Sequence, residues 1–160
     1  MTSYLNFLPC TFYQFVHHFR GLVKMEQIKQ LFDKNHNIVI LGGPGTAKTT
    51  NLIHLYNSLK EANVSAQCLA PTGIASVNLP MGQTVDHFFS FYDGRFSVAE
   101  SFDRMSLLQK QKIRELQTIF IDEVSMLSAQ KLDKVCSKFK IDKIELAKFT
   151  TCMVLDEVTQ

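Results

Sequence analysis

The sequence predicts an α/β fold: a mainly parallel sheet with helices on both faces. Apolar runs occur at 38–41, 64–69, 117–121 and 152–155, and helical patterns lie between them. Near-continuous apolar runs are typical of strands that are buried on both faces. A helix between two such strands forms a βαβ unit, which makes the strands parallel. A glycine-rich loop joins the first run to the next helix, as in phosphate-binding α/β domains.

Composition adds few constraints on function. A length of 160 residues favours one domain, and 46% hydrophobic residues are ordinary for a globular chain. The net charge of +2 indicates no strong general attraction to nucleic acid. No apolar run is long enough to span a membrane. The cysteines lack Cys-x-x-Cys spacing, which predicts core residues in a reducing compartment; they are Cys10, Cys68, Cys136 and Cys152.

Residues 1–24 are predicted to form an N-terminal extension, and residues 25–160 the α/β domain. Near-helical spacing from Leu5 to Phe19 predicts a helix packed on the domain, and a second helix is predicted over 22–32. The alternative for this acid-poor start is a transit peptide. We therefore expect an intracellular protein, nuclear or cytoplasmic, with a mitochondrial location as the alternative.

The glycine-rich loop is predicted to bind a nucleotide. Small residues let backbone N–H groups surround a phosphate, and the following helix N-terminus adds positive potential. Lys48 would reach the outer phosphates, and the Thr49 hydroxyl would bind Mg²⁺. The alternative is a glycine-rich turn that binds nothing. The predicted loop residues are Gly42, Gly43, Pro44, Gly45, Thr46, Ala47, Lys48, Thr49 and Thr50.

Ala47 departs from the pattern Gly-x-x-x-x-Gly-Lys-Thr, because it occupies the position of the second glycine. A left-handed backbone at this position would cost a non-glycine residue roughly 1–2 kcal/mol. A helical backbone would accommodate alanine without strain. Even at negative φ, the methyl group would crowd a bound phosphate and lengthen its hydrogen bonds. We expect a modest loss on these grounds, and therefore weaker ATP binding than in an Ala47→Gly variant.

Two further segments follow predicted strands. Pro71, Thr72 and Gly73 form a loop after the second strand, at the edge where open α/β sheets bind ligands. Asp122 and Glu123 follow the third strand, where Asp122 would support Mg²⁺ and Glu123 would act as general base. Alone, such acids are more often solvated side chains at a strand end.

Aromatic residues are concentrated between the second and third strands. Phe88 and Phe89 lie in the segment 82–92, and core packing is the default interpretation of such residues. Exposed members would stack on unpaired bases. Helices are also predicted over 97–116 and over the lysine-rich segment 131–149, whose charged face we expect to be solvated.

Four motifs together resemble the Pif/RecD branch of the superfamily-one DNA helicases. In order they occupy 42–49, 70–75, 82–89 and 121–126, and the resemblance covers roughly residues 25–140. It implies a RecA-like P-loop NTPase domain, the first of two motor domains, acting with ATP and Mg²⁺ on single-stranded DNA in repair or recombination. It also implies a monomer that does not enter membranes.

The resemblance assigns roles to individual residues. Gln27 would read adenine, and Gln160 would sense phosphate, although Asp156 replaces the glycine of that motif. Pro71, Thr72 and Gly73 would hold the DNA backbone. Independently of the resemblance, Phe88 and Phe89 are the aromatic candidates for stacking on bases.

Three departures from the family pattern bear on activity. Ala47 replaces glycine, Asp86 and His87 replace His-Ser, and the sequence stops after the fourth recognisable strand, where the second motor domain would begin. We therefore expect no unwinding by these 160 residues alone. The alternatives are a non-catalytic nucleotide- or DNA-binding remnant and a nucleoside monophosphate kinase. The kinase is disfavoured because arginines are few: Arg20, Arg95, Arg104 and Arg114.

Overall fold

The computed structural model describes residues 16–20, 37–42, 45–91, 96–141 and 150–156. The strands are β1 (Val16–Arg20), β2 (Asn37–Gly42), β3 (Ala66–Ala70), β4 (Gln83–Thr84), β5 (Thr118–Ile121) and β6 (Thr150–Asp156). The helices are α1 (Lys48–Glu61), α2 (Gly73–Val77), α3 (Val85–Phe89), α4 (Val98–Asp103), α5 (Leu107–Glu115) and α6 (Ala129–Ile141), with a 3₁₀ turn over Val124–Met126.

The six described strands form one sheet in the order β1-β2-β6-β5-β3-β4. Every pair of neighbours is parallel. The α/β prediction is confirmed, and the four predicted strands are β2, β3, β5 and β6. The strands β6 and β5 lie between β2 and β3 in the sheet. The connection from β2 through α1 to β3 therefore crosses the positions of these two strands, which come later in the sequence.

The prediction of a helix in the first 24 residues is wrong for Val16–Arg20. These residues form β1, which pairs with β2 from Asn37 to Leu41. The aromatic and β-branched residues of this stretch suit a strand as well as a helix face, and pairing with β2 decides between them. Within 1–24, the structure describes only this strand, and the helix predicted over 22–32 lies outside the described residues.

The predicted long helix over 97–116 is two helices, α4 and α5. Ser97 caps α4 in a capping box with Glu100, and Ser106 caps α5 by accepting from the N–H of Gln109. A second N-cap serine inside the predicted helix therefore starts a new helix. The predicted helix over 131–149 begins earlier, at Ala129, and is described as far as Ile141.

Helices cover both faces of the sheet, as predicted. On one face, Cys68 and Phe120 pack with Leu52 and Leu55 of α1. On the other face, residues of β3 and β5 pack with helices α3, α5 and α6: Leu69, Ile119, Ile121, Phe88, Phe89, Ile113, Leu132 and Val135. Alternate side chains of a strand point to opposite faces, and this alternation divides the core into two layers.

Cys68 is buried as a free thiol, in agreement with the prediction of core cysteines. Burial first, and the nearby charge of Asp122 second, raise the pKa of the Cys68 thiol to about 12. The thiol is therefore protonated and unreactive at neutral pH. Among the helices that the structure describes, none has the length and apolarity needed to cross a bilayer.

Gly82 closes the turn between α2 and β4, and its backbone approaches its neighbours closely. A Cβ there would collide with the carbonyl oxygen of Ser76 and lie 2.8 Å from the Cβ of Leu79. We predict that Gly82→Ala lowers the free energy of unfolding by about 1–3 kcal/mol, as overpacking does elsewhere. Gly73→Ala is the matched control, because a Cβ at Gly73 meets nothing within 4 Å. Urea unfolding of both variants measures the difference, and equal stabilities would contradict the close approach.

Candidate nucleotide site and nucleic-acid edge

The predicted site segments meet at the carboxyl edge of the sheet, because all its strands run in the same direction. Gly42, at the end of β2, is aligned with Asp156 of β6, and Leu69 of β3 is aligned with Ile121 of β5. The N–H of Asp122 donates to the carbonyl oxygen of Leu69, at 3.0 Å. The segment after β5 therefore lies beside the end of β3. In the sheet, β6 lies between β5 and β2, the strand that leads into the glycine-rich loop.

A hydrogen bond joins the glycine-rich loop segment to the acids after β5. The Thr49 hydroxyl donates to Oδ2 of Asp122 at 2.9 Å, across 73 positions of sequence. Side chains of a strand alternate between its two faces, so Asp122 points to the same face of the sheet as Phe120. Phe120 packs against α1, and Thr49 is the second residue of that helix. This direct contact agrees with the expectation that Thr49 and Asp122 belong to one site.

These two side chains suit Mg²⁺. The ion takes oxygen ligands and is usually bound through one or two carboxylates together with substrate phosphates. Asp122 supplies a carboxylate that is only 4% exposed, and Thr49 supplies a hydroxyl. Nucleotide phosphates at the adjacent loop would complete the oxygen set.

Helix α1 presents its N-terminus to the loop without competition from its own side chains. Its first turn contains no acid, and Ala47 at the N-cap has no side-chain oxygen to accept from the first N–H groups of the helix. Lys48 is 8% exposed, and its Nζ donates to Oγ1 of Thr46 at 3.4 Å, which folds the side chain back over the loop. A helix end of this kind favours an anion.

Two residues of the candidate site have left-handed backbones although they are not glycine. Ala47 has φ 57° and ψ 27°, and Glu123 has φ 52° and ψ 39°. Of the backbone conformations considered for Ala47, the structure therefore has the left-handed one, which strains a residue with a Cβ. The N–H of Glu123 donates to Oδ1 of Asp122 at 3.1 Å, so that Asp122 accepts hydrogen bonds on both oxygens. Strained backbone of this kind costs about 1–3 kcal/mol and concentrates at functional sites.

The predicted DNA-backbone segment 71–73 lies at the same edge, directly after β3. Gly73 is exposed, and Pro71 and Thr72 are partly exposed. Thr72 also has a structural task, because its Oγ1 accepts from the N–H of Ala75 at 3.3 Å and caps α2. The segment is therefore accessible and rigidly held.

The prediction that Phe88 and Phe89 stack on bases is wrong. Both side chains are fully buried in the core, where their rings pack edge to face with centroids 4.9 Å apart. A stacking platform must expose one ring face, and these rings have none to offer. The default core interpretation is the correct one.

Several predicted site residues lie outside the described residues. These are Gln27, Gly43, Pro44 and Gln160. Their predicted roles stay predictions.

An ion pair that the sequence analysis missed lies close to this edge. Nζ of Lys131 is 2.7 Å from Oδ2 of Asp86. The two residues are 45 positions apart and belong to different helices, α3 and α6. No spacing rule connects them, although the departure Asp86-His87 from the family pattern had marked one partner as unusual.

Comparison with known proteins agrees with this geometry. A family model described as an AAA domain matches residues 25–149. The ATP-dependent DNA helicase PIF1 of Saccharomyces cerevisiae is 30% identical over 118 residues, which are 70% of this chain and 13% of that protein. The RecBCD enzyme subunit RecD of Buchnera aphidicola is 26% identical over 120 residues, 64% of this chain and 20% of that protein.

A solved structure supports the same relationship. The crystal structure of Bacteroides Pif1 bound to single-stranded DNA superposes with a TM-score of 0.68 at 25% identity. The match covers 87% of this chain and 34% of that chain. This chain therefore spans about a third of the structural relative, and a fifth or less of the two sequence relatives.

The left-handed backbone at Ala47 generates a prediction about nucleotide affinity. We predict that Ala47→Gly binds a fluorescent ATP analogue with Mg²⁺ more tightly than the parent, by up to about tenfold. Glycine adopts positive φ without the strain that alanine bears, and 1.4 kcal/mol corresponds to a factor of ten. Fluorescence titration of both proteins measures the ratio.

Ala62→Gly is the control for this comparison. Ala62 ends the same helix with an ordinary φ of −81°, so that glycine there relieves no strain. We expect its affinity to equal that of the parent. Equal affinities for the parent and Ala47→Gly would show that the loop tolerates alanine at no cost to binding.

Proposed function

Because the chain belongs to the AAA domain family, and in sequence and fold is a Pif/RecD-like superfamily-one motor domain, we propose that it binds and hydrolyses ATP with Mg²⁺ and contacts single-stranded DNA. The relatives reported above are helicases or a helicase-complex subunit, which favours a motor domain over the nucleoside monophosphate kinase alternative.

The observation that carries the proposal is the 2.9 Å hydrogen bond between Thr49 and Asp122. It joins the start of α1 to the end of β5, the two places where a phosphate loop and its metal-supporting acid are expected. A glycine-rich turn without function, or acids that are merely solvated, gives no reason for such a contact. Asp122 is buried, which argues further against the solvated alternative.

The proposed chemistry assigns one task to each residue. Lys48 and the backbone N–H groups of the loop would bind and orient the phosphates at the N-terminus of α1. Thr49 and Asp122 would hold Mg²⁺, which neutralises charge on phosphate oxygens when bound. Glu123 would accept the proton of the attacking water as general base. The two hydrogen bonds on Asp122 orient its carboxylate before any ligand binds.

The left-handed backbone of Glu123 supports its proposed role. The residue directly follows the buried Asp122 and precedes the 3₁₀ turn over Val124–Met126. The turn of the chain there gives Glu123 a partly exposed side chain, whereas Asp122 stays buried. A base that must reach water and a buried acid that supports the metal thereby have different exposures although they are adjacent in sequence.

The proposed DNA contact uses the segment 71–73. The Bacteroides relative was crystallised with single-stranded DNA, which supports a nucleic-acid partner for this chain. In this chain the accessible Thr72 hydroxyl and the backbone of Gly73 would bind phosphate oxygens. Oligomeric state and cellular location remain as expected from the sequence: a monomer, inside the cell.

We predict that Glu123→Gln lowers ATP hydrolysis at least 10²-fold while ATP binding stays close to that of the parent, because a general base contributes typically 10²–10⁴. Phosphate release and titration with a fluorescent ATP analogue measure the two properties. Glu61→Gln is the matched control, with the same charge change at the far end of α1. Lys48→Ala is expected to weaken binding itself.

The outcome separates the proposal from its alternative. Nucleotide binding without hydrolysis that depends on Glu123 would identify a non-catalytic binder, and absence of binding would refute the nucleotide site. We expect negligible strand separation by the 160 residues, which span about a third of the structural relative. Robust unwinding by this polypeptide would contradict that expectation.

We predict that Thr72→Ala weakens binding to single-stranded oligonucleotides about tenfold, because one hydrogen bond to a charged group is lost, worth about 1.5 kcal/mol. The substitution also removes the cap of α2, so Thr72→Ser is the control that keeps both the hydroxyl and the cap. Fluorescence anisotropy measures the affinities. An equal loss in both variants, or no loss in either, would place the contact elsewhere.

A further inference from the structure

We propose that Asp86 limits the affinity of this domain for single-stranded nucleic acid, because it holds Lys131 away from the phosphates. The inference rests on the proposed DNA contact at segment 71–73 and adds a residue that sets its strength. It concerns a pair of side chains that the candidate nucleotide site does not use.

Strand pairing places Asp86 beside the proposed DNA contact. Ala70 of β3 is aligned with Thr84 of β4. Thr72 and Asp86 each follow their aligned residue by two positions, on neighbouring segments that leave the same edge of the sheet. Both segments then begin a helix, capped by Thr72 and by Thr84. Asp86 therefore places a negative charge at the same edge of the sheet as the segment that would bind phosphates.

Lys131 reaches Asp86 from helix α6, which packs over the same face of the sheet as α3. It lies in the first turn of α6, where its N–H donates to Oγ of Ser128 at 3.2 Å. Helix α6 starts soon after Asp122 and Glu123, at the carboxyl end of β5. Lys131 is therefore one of the described basic residues near this edge that phosphates could reach. Its positive charge is already neutralised by the carboxylate of Asp86.

The two ends of Asp86 differ in their surroundings. Oδ2 is 2.7 Å from Nζ of Lys131, and the two side chains are about 40% exposed. Oδ1 is buried and has no hydrogen-bond partner. An exposed ion pair alone is weak and easily exchanged. Here Lys131 compensates the charge of a carboxylate that is poorly solvated on its other oxygen, so its departure would leave that charge without a compensating cation.

This asymmetry explains why Lys131 stays with Asp86 when a phosphate approaches. The pair carries no net charge, and the carboxylate repels phosphates. Removing the charge of Asp86 would release one lysine for the nucleic acid. Each additional phosphate neutralised on a single strand makes the slope of log K against log salt concentration steeper by about 0.7. Relative to a 1 M salt reference, this slope corresponds to about fivefold higher affinity at 0.1 M salt.

The test compares oligo(dT) binding by fluorescence anisotropy between 50 and 300 mM NaCl. The proteins are the parent, Asp86→Asn, Lys131→Gln and the double variant. We expect Asp86→Asn to bind about fivefold more tightly at 0.1 M salt and to show a salt dependence steeper by about 0.7. The double variant should lose this gain, because the released lysine is absent.

Two controls isolate the effect. Glu61→Gln makes the same charge change at the far end of α1 and should leave affinity and salt dependence close to those of the parent. Thermal unfolding verifies that each variant is folded, and Asp86→Ser replaces Asp86→Asn if the buried amide prevents folding. Serine also removes the charge, and the same gain is expected.

The outcomes distinguish this inference from the proposed function. If the parent binds in a manner that depends on Thr72, but Asp86→Asn matches Glu61→Gln, the ion pair is only a structural link between α3 and α6 and the inference is overturned. A gain that persists in the double variant overturns the role of Lys131. If no variant binds oligo(dT) at 50 mM salt, the proposed DNA contact fails together with the inference.

Discussion

Parallel pairing of the strands is the constraint on which the rest of the structure depends. It brings the ends of β2, β3, β5 and β6 to one edge, although 73 residues separate Thr49 from Asp122. The alternation of β5 then turns Asp122 toward α1, and the helix that follows the glycine-rich loop supplies Thr49. A change of one residue in the β5 register would point Asp122 to the opposite face of the sheet. The nucleotide site is therefore a consequence of register as much as of motif.

The same edge collects strain that the core must support. Ala47 and Glu123 have left-handed backbones, at a cost of roughly 1–2 kcal/mol each for residues with a Cβ. Each lies next to an element that packs in the core: Ala47 precedes the helix of Leu52, and Glu123 follows the strand of Phe120 and Ile121 by two positions. Dense packing on both faces holds strand ends in position and lets such conformations persist. Stability in the core and strain at the edge are two parts of one arrangement.

Sequence reasoning predicted the central strands and the residues that meet at the site, because both have local signals. Apolar runs mark β2, β3, β5 and β6, and the positions of Thr49, Thr72 and Asp122 follow from where those runs end. The fold of Val16–Arg20 could not be predicted, since its apolar spacing suits a helix and only pairing with β2 decides. Periodicity likewise indicates that Phe88 and Phe89 are apolar, but not whether they face the core or a ligand.

The Asp86–Lys131 pair shows what local signals omit. Its partners are 45 residues apart on different helices, and their contact depends on how α3 and α6 pack over the same face of the sheet. This contact matters because the chain carries a net charge of only +2. Where 15 acids nearly balance 17 basic residues, the affinity for a polyanion depends on which basic side chains are already neutralised rather than on how many the sequence contains. In the proposed DNA contact, tertiary packing through this one ion pair would set how much of the positive charge near the edge is available to nucleic acid.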